Sequence, residues 1–173
     1  MKIKSIVFCM FLAFINVLIS GCKQEDSNPS SSLMIRMKDA PASFDQVNVE
    51  VVEIQIHNDV NGWQVIPVTD SIYDLLLLQG NTTTFLANAI LPSGNISQVR
   101  LLLGTQNSVK VAGVVYPLSL SSEDETGLKL NIHQNLLGGV TYDLLIDFHA
   151  DESIVEEGNG TYKLKPVLSA SFN

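Results

Sequence analysis

Cysteine is scarce in this 173-residue chain, and neither of its two cysteines lies in the part that has to fold. Cys9 sits inside an apolar N-terminal run, and Cys22 ends that run. Residues 23–173 therefore form neither a disulfide nor a thiolate metal site. A hydrophobic core has to hold them together, and about 140 residues bury enough surface for that.

Basic residues are also few. Residues 22–173 carry 8 lysines and arginines against 18 aspartates and glutamates, a formal net charge of −10. This charge argues against nucleic acid as a partner, because Lys and Arg must replace the counterions of the phosphates. It also argues against electrostatic docking on anionic lipids. Solubility is the simplest role of such an acidic surface.

Local catalytic motifs are missing as well. The chain has no Gly-x-Ser-x-Gly elbow and no Gly-rich phosphate loop ahead of a helix. Glu123-Asp124-Glu125 lacks the ligand spacing and the glycine of a calcium loop. We therefore expect no cofactor and no enzymatic activity. A glycosidase carboxylate pair leaves no local spacing, so that alternative stays open.

The N-terminus has the pattern of a bacterial lipoprotein leader. Lys2 and Lys4 precede an apolar run over residues 6–19, which is too short for the roughly 20 residues of a membrane-spanning helix. Leu18-Ile19-Ser20-Gly21-Cys22 resembles a lipobox, the site of cleavage and of lipid attachment to Cys22. We expect a signal peptide over residues 1–21 and membrane attachment through the lipid. An uncleaved anchor is the alternative.

Residues 22–32 read as the lipidated cysteine followed by a flexible linker. Serine, proline and charged residues without apolar anchors cannot offset the entropy of ordering. Lys23-Gln24-Glu25-Asp26 resembles the acidic signal that places some Gram-negative lipoproteins on the outer face. We expect an outer-membrane protein, lipid-anchored and exposed on the cell surface. Ordinary linker acidity is the alternative.

Residues 33–173 predict one all-β domain. Apolar side chains alternate in many short segments, most clearly over residues 141–150, and turn signals separate these segments. No segment has the period of an amphipathic helix. About nine or ten short strands of this kind predict an antiparallel β-sandwich. Residues 73–78 fit either a buried strand or one helical turn.

One long predicted strand, residues 46–57, changes its apolar phase. Alternation cannot change phase without an extra residue, so we expect a β-bulge or bend near Val51-Val52. Pro92-Ser93-Gly94 predicts a hairpin turn, and a last strand is expected to run from Tyr162 to Phe172. The inward positions of the long strand are predicted to be Val47, Val49, Val51, Val52, Ile54 and Ile56.

The best candidate metal site is a row of polar residues near the end of the clearest strand. Residues two apart share a face, so Asp143, Asp147, His149 and Asp151 are expected on one side. Carboxylates with an imidazole suit a divalent cation, with calcium as the candidate. Side chains two apart stand nearly 7 Å from each other, so a compact site needs a bend or a second strand. A solvated strand face is the alternative.

Two further residues are candidate sites. Trp63, the only tryptophan, lies beside the Asn61-Gly62 turn, where an exposed ring serves as a platform for a sugar. A single tryptophan in a small sandwich is more often part of the core. Asp70-Ser71-Ile72 resembles a short bacterial O-glycosylation acceptor, which would modify Ser71, although so short a pattern also arises by chance.

Short pieces that run in order across residues 33–173 together carry a family resemblance. They are Lys38-Asp39-Ala40-Pro41, Phe44-Asp45-Gln46-Val47, Gly62-Trp63, Asp74-Leu75-Leu76, Leu91-Pro92-Ser93-Gly94, Gln98-Val99-Arg100-Leu101, Gly127-Leu128-Lys129-Leu130, Asp147-Phe148-His149-Ala150-Asp151, Ser153-Ile154 and Lys165-Pro166-Val167. With these pieces the chain resembles bacterial lipoproteins that carry domain of unknown function 4382. The resemblance implies an immunoglobulin-like or transthyretin-like sandwich and a membrane address, but no reaction. His149 departs from the aspartate expected in that family.

These patterns favour a non-catalytic binding or adhesion module on the outer membrane, with a glycan or another surface protein as its ligand. The first alternative is a structural or accessory subunit of a surface assembly of the fimbria type, joined by strand addition. The second is a metal-dependent hydrolase built on Asp147, His149 and Asp151.

Overall fold

Alternating apolar side chains form thirteen strands in the computed structural model, which describes residues 29–69 and 71–173. The other elements in these residues are 3₁₀ turns at Leu75–Leu78 and Asp124–Thr126 and one α-helical turn at Ala150–Ser153. The strands are β1 Ser30–Asp39, β2 Gln46–Asn58, β3 Gly62–Ile66, β4 Ile72–Asp74, β5 Thr84–Pro92, β6 Gly94–Leu103, β7 Asn107–Val111, β8 Val114–Leu120, β9 Leu128–Leu136, β10 Thr141–Phe148, β11 Ile154–Glu156, β12 Tyr162–Leu164 and β13 Leu168–Phe172.

The strands form two sheets whose apolar faces enclose one core. The smaller sheet has four strands in the order β13-β10-β1-β5. The larger has nine: β11-β12-β8-β7-β2-β6-β9 follow one path, and β3 and β4 also pair with β2. The predicted all-β sandwich is therefore confirmed. The largest fully buried side chains are Phe148, Leu33, Ile35, Met37, Ile54, Ile56, Leu75, Leu86, Leu91, Ile96, Leu101 and Leu136.

The prediction that the sandwich is antiparallel is wrong in one respect, because each sheet contains a parallel pair. Strand β1 runs parallel to β10, and β8 runs parallel to β12. Parallel neighbours need a long connection, and here the chain between β1 and β10 builds most of the larger sheet. Side chains alternate in the same way in parallel and in antiparallel strands, so the sequence pattern did not reveal the two parallel pairs.

The predicted irregularity in β2 is present. The pairing of β2 with β6 shifts register between Val51 and Glu53. Val51 and Ile54 are both fully buried, whereas Val52 is 46% exposed. The prediction that Val52 faces inward was therefore wrong, because it is the extra residue of the bulge and turns outward.

Two predicted connections join the sheets instead of lying within one. Pro92-Ser93-Gly94 links β5 in the smaller sheet to β6 in the larger, so the predicted hairpin there was wrong. The predicted last strand is two strands, because the chain leaves the larger sheet after β12 and enters the smaller one as β13. Lys165-Pro166-Val167 makes this transfer, where proline cannot donate a ladder hydrogen bond.

Residues 73–78 combine both structures that their sequence allowed. Strand β4 ends at Asp74, and the four leucines Leu75–Leu78 form a 3₁₀ turn. The Leu76 amide donates to Asp74 Oδ1 at 3.2 Å, and the Val47 amide donates to the same oxygen at 3.4 Å. Asp74 thus caps the turn and ties it to β2.

The folded domain begins earlier than residue 33. Ser30–Ser32 belong to β1, and Ser31 is buried with its hydroxyl donating to the Leu91 carbonyl. Serines carry no apolar signal, which is why the sequence assigned them to the linker. In residues 29–69 and 71–173 no helix is long and apolar enough to cross a membrane.

We expect Gly104→Ala to destabilise the domain by about 2–3 kcal/mol. A Cβ on Gly104 would lie 2.1 Å from Glu50 Oε2. That buried carboxylate accepts hydrogen bonds from the amide and the side chain of Gln106, at 2.8 and 3.2 Å, and would lose them. Urea unfolding measures the loss, with the exposed neighbour Thr105→Ala as control. An unchanged midpoint would show that Glu50 can move without cost.

Candidate functional site

The carboxylates of the predicted metal face on β10 already have cationic partners. Asp147 Oδ2 lies 2.7 Å from Lys38 Nζ, and Asp143 Oδ1 lies 3.6 Å from Arg36 Nε. The parallel register of β1 and β10 places Lys38 directly beside Asp147. The outer face of the smaller sheet is therefore built from ion pairs between neighbouring strands.

The side chains of the other two residues of the predicted metal site, His149 and Asp151, form no hydrogen bond or ion pair with that of Asp147. Asp151 is in the α-helical turn Ala150–Ser153, where the strand has ended, and is exposed. His149 Nδ1 is 3.9 Å from Glu152 Oε1, and its Nε2 is 3.5 Å from Ser169 Oγ. No group of three or more His, Cys, Asp or Glu side chains within the described ranges is arranged to hold a metal ion. Calcium binding by Asp147, His149 and Asp151 stays a prediction.

A buried carboxylate that the sequence interpretation missed lies next to this face. Asp39 ends β1 and is 2% exposed, and its Oδ1 accepts a hydrogen bond from the Ala150 amide at 2.9 Å. Burial raises the pKa of Asp39 to about 6, and the nearby charge of Asp147 adds to the rise, while the Ala150 amide opposes it. The sequence held a signal for this, since Asp39 continues the inward phase of Ile35 and Met37.

A second group of side chains surrounds Trp63 on the outer face of the larger sheet. Trp63 of β3 pairs with His57 of β2, His57 with Gln98 of β6, and Gln98 with Asn131 of β9. One row of residues thus crosses four strands on one face. Together these strands form an open groove of about 540 Å³, which we call the Trp63 groove. It is lined by His57, Trp63, Ser97, Gln98, Arg100, Asn131 and His133.

Contacts between the lining side chains fix the shape of the groove. The guanidinium carbon of Arg100 lies 3.9 Å from the centre of the Trp63 ring, a cation–π contact. The His57 ring meets Trp63 edge-on with centroids 5.2 Å apart. Gln98 Nε2 donates to Asn131 Oδ1 at 2.8 Å. The indole is thus held from two sides, and its orientation is set before any ligand arrives.

Trp63 is 40% exposed. Of the two alternatives for this residue, the position in the core is therefore wrong, and the exposed position beside the turn is the one observed. Trp63 pairs in register with His57 and so shares its outward face, which leaves the large ring on the solvent side of the sheet. No pattern in the sequence marks the other lining residues as a group. They come from β2, β6 and β9, and only strand pairing brings them together.

His57 and Ser97 form a short polar contact in this groove, with 2.8 Å between Nδ1 and Oγ. The nearest acid, Asp59, approaches the same Nδ1 with its Oδ1 at 3.9 Å. A Ser-His-Asp triad needs the serine and the acid on opposite ring nitrogens. The arrangement therefore serves to orient His57 rather than to activate Ser97.

A family model gives the one match among the comparisons. The model described as Domain of unknown function (DUF4382) matches residues 30–166, which is more than half of the chain. The chain belongs to this family. A search of curated proteins and a search of solved structures both gave no match. The family match covers Asp39 and the Trp63 groove and ends before β13.

A second groove lies at the other end of the larger sheet, where β8 pairs with β12. Tyr116 of β8 and Tyr162 of β12 face each other there, with ring centroids 4.9 Å apart. Thr105, Pro117 and Glu157 are among the residues that complete its lining, and it encloses about 640 Å³. No pattern in the sequence marks these residues, because β8 and β12 are distant along the chain and become neighbours only through their parallel pairing.

Of the two predicted modification sites, Ser71 lies within the described residues and Cys22 does not. Ser71 is exposed, and its carbonyl accepts a hydrogen bond from the Val51 amide at 2.6 Å. Its hydroxyl is therefore on an accessible surface, and O-glycosylation stays a prediction. Asp70 of that pattern, the signal peptide over residues 1–21 and Cys22 lie outside the described residues.

We expect Asp39→Asn to remove a pH dependence of stability. The pKa of Asp39 is raised from 3.8 to about 6 in the fold, so its stabilising contribution is complete below about pH 4 and is lost as the pH rises through 6. Relative to the variant, wild type should lose about 1–3 kcal/mol over that interval.

Urea unfolding at several pH values tests this prediction. Asparagine keeps an acceptor oxygen for the Ala150 amide, so the variant should still fold. Asp151→Asn removes the same charge from an exposed position and controls for net charge. Parallel profiles for wild type and Asp39→Asn would contradict the prediction.

Proposed function

We propose that this protein is a lipid-anchored, non-catalytic binding module of the outer membrane that faces the cell exterior and binds a saccharide in the Trp63 groove. The observation that carries the proposal is the exposed indole, which is held by Arg100 and His57 at one end of a row of imidazole and amide side chains. This combination matches the needs of a sugar ring better than those of an apolar ligand.

A saccharide offers an apolar face of C–H groups and a rim of hydroxyl groups. The indole supplies a flat apolar surface with a polar N–H at its edge. Gln98, Asn131 and His133 supply both donors and acceptors, which a hydroxyl rim can use together. A few convergent polar groups around an apolar platform are the usual design of a small-molecule site.

The lipobox pattern supports attachment to the membrane. The position where the domain begins indicates which end of the sandwich lies nearest the lipid anchor. Pro29 is held at one end of the sandwich, because its carbonyl accepts from the Ser93 amide at 2.8 Å. The neighbouring Pro92 carbonyl accepts from Asn58, which ends β2 beside the Trp63 hairpin. The chain from Cys22 to Pro29, seven residues further on, spans at most about 25 Å when fully extended. The groove would therefore lie toward the anchored end of the domain.

We expect Cys22→Ala to release the protein from the membrane. Each buried CH₂ of an acyl chain contributes about 0.8 kcal/mol, and the domain has no other proposed means of attachment. Fractionation of cells should find wild type with the outer membrane and the variant in soluble or inner-membrane fractions. Cys9→Ala keeps the lipobox and serves as control. Outer-membrane retention of Cys22→Ala would refute the lipid anchor.

We expect Trp63→Ala to weaken saccharide binding about tenfold or more. Loss of the ring removes a contact worth about 1.5 kcal/mol, and a tenfold change in affinity is about 1.4 kcal/mol. Binding of full-length, lipidated protein to an oligosaccharide array identifies the ligand, and calorimetry then measures the affinity.

Phe85→Ala is the matched control for this experiment. Phe85 is 43% exposed, close to the 40% of Trp63, but lies on β5 of the other sheet. The control should bind like wild type. Equal binding by Trp63→Ala and wild type, or no binding to any saccharide on the array, would refute the proposed function.

A further inference from the structure

The chain has only two arginines, and the fold treats them differently. Arg36 on the smaller sheet lies 3.6 Å from Asp143. Arg100 in the Trp63 groove has no carboxylate at ion-pair distance among the described residues, and its guanidinium contacts the Trp63 ring instead. The Nε of each arginine is buried without a hydrogen-bond partner. Of the two arginines, Arg100 is therefore the one that can pair with a carboxylate from a ligand.

The surroundings of Arg100 keep a positive centre in the groove. Lys129 of β9 pairs in register with Arg100, so both cations stand on one face. Two acids have contacts near the groove: Glu53 accepts a hydrogen bond from Gln55 at 2.6 Å, and Asp59 lies 3.9 Å from His57. Neither carboxylate is at ion-pair distance from Arg100.

We propose that the saccharide bound in the Trp63 groove carries a carboxylate, as a uronic acid does, and that Arg100 binds this carboxylate. The inference rests on the proposed function and specifies its ligand class. The sugar ring takes the exposed part of the indole, and the acid group reaches the guanidinium that lies 3.9 Å from the ring centre.

The geometry favours a carboxylate for a physical reason. A guanidinium presents parallel N–H donors that match the two oxygens of a carboxylate, and such charge-assisted bonds are stronger than neutral ones. Contact with Trp63 restricts the Arg100 side chain before binding, which lowers the entropy lost when the ligand binds. The net negative charge of the chain repels acidic glycans, so a local cation such as Arg100 is needed to bind one.

The decisive experiment compares galacturonate, glucuronate and mannuronate oligosaccharides with their methyl esters. Esterification removes the charge and keeps the sugar ring, so the pair isolates the carboxylate. Full-length, lipidated protein should bind at least one acid about tenfold more tightly than its ester. This preference should weaken as ionic strength rises, since salt screens a partly exposed pair.

The two arginines provide matched variants. Arg100→Gln should bind the acid and the ester equally, because it lacks the charge that distinguishes them. Arg36→Gln should keep the full preference. Arg100→Lys should fall between them, because lysine retains the charge but not the fork of donors. Circular dichroism and thermal unfolding confirm that each variant is folded.

Two outcomes would overturn the inference and can be told apart. If wild type binds an ester as tightly as its acid, or if Arg100→Gln keeps the preference, the carboxylate does not contact Arg100. Saccharide binding at Trp63 would then stand on its own, through the Trp63→Ala loss. If neither acids nor neutral saccharides bind, the proposed function itself is wrong.

Discussion

The pairing of β2 with four other strands is the constraint on which the larger sheet depends. Its first half pairs with β4 and β7, and its second half pairs with β3 and β6. The bulge at Val52 separates these halves and resets the side-chain phase, so Ile54 and Ile56 enter the core and His57 faces outward. Without that extra residue every later side chain of β2 would change sides, and the Trp63 groove would lose its floor.

The two sheets use their few positive charges in different ways. On the smaller sheet, Arg36 and Lys38 pair with Asp143 and Asp147, which neutralises the outer face. On the larger sheet, Arg100 contacts an aromatic ring instead of an acid. The first arrangement adds little stability, because half-exposed ion pairs are worth about 0–1 kcal/mol. The second leaves a cation able to pair with a ligand.

Buried polar groups fasten the ends of strands where the apolar pattern stops. Asp39 accepts from the Ala150 amide and so joins the end of β1 to the turn that follows β10. Asn107 accepts from the Glu50 amide and donates to the Gly104 carbonyl, which closes the connection between β6 and β7. Each of these polar groups takes an inward position of its strand, where a hydrogen-bond partner replaces the apolar contacts that the other inward positions make.

The sequence by itself determined the all-β class, most strand positions and the bulge in β2, because each depends on local alternation and turn residues. It also determined the acidic surface and the lipobox pattern at Cys22. Tertiary structure alone decided the parallel pairs β1–β10 and β8–β12, the ion pairs that engage Asp143 and Asp147, and the Trp63 groove. Those features join residues that lie up to about a hundred positions apart, and alternation within a strand carries no information about which strand becomes its neighbour.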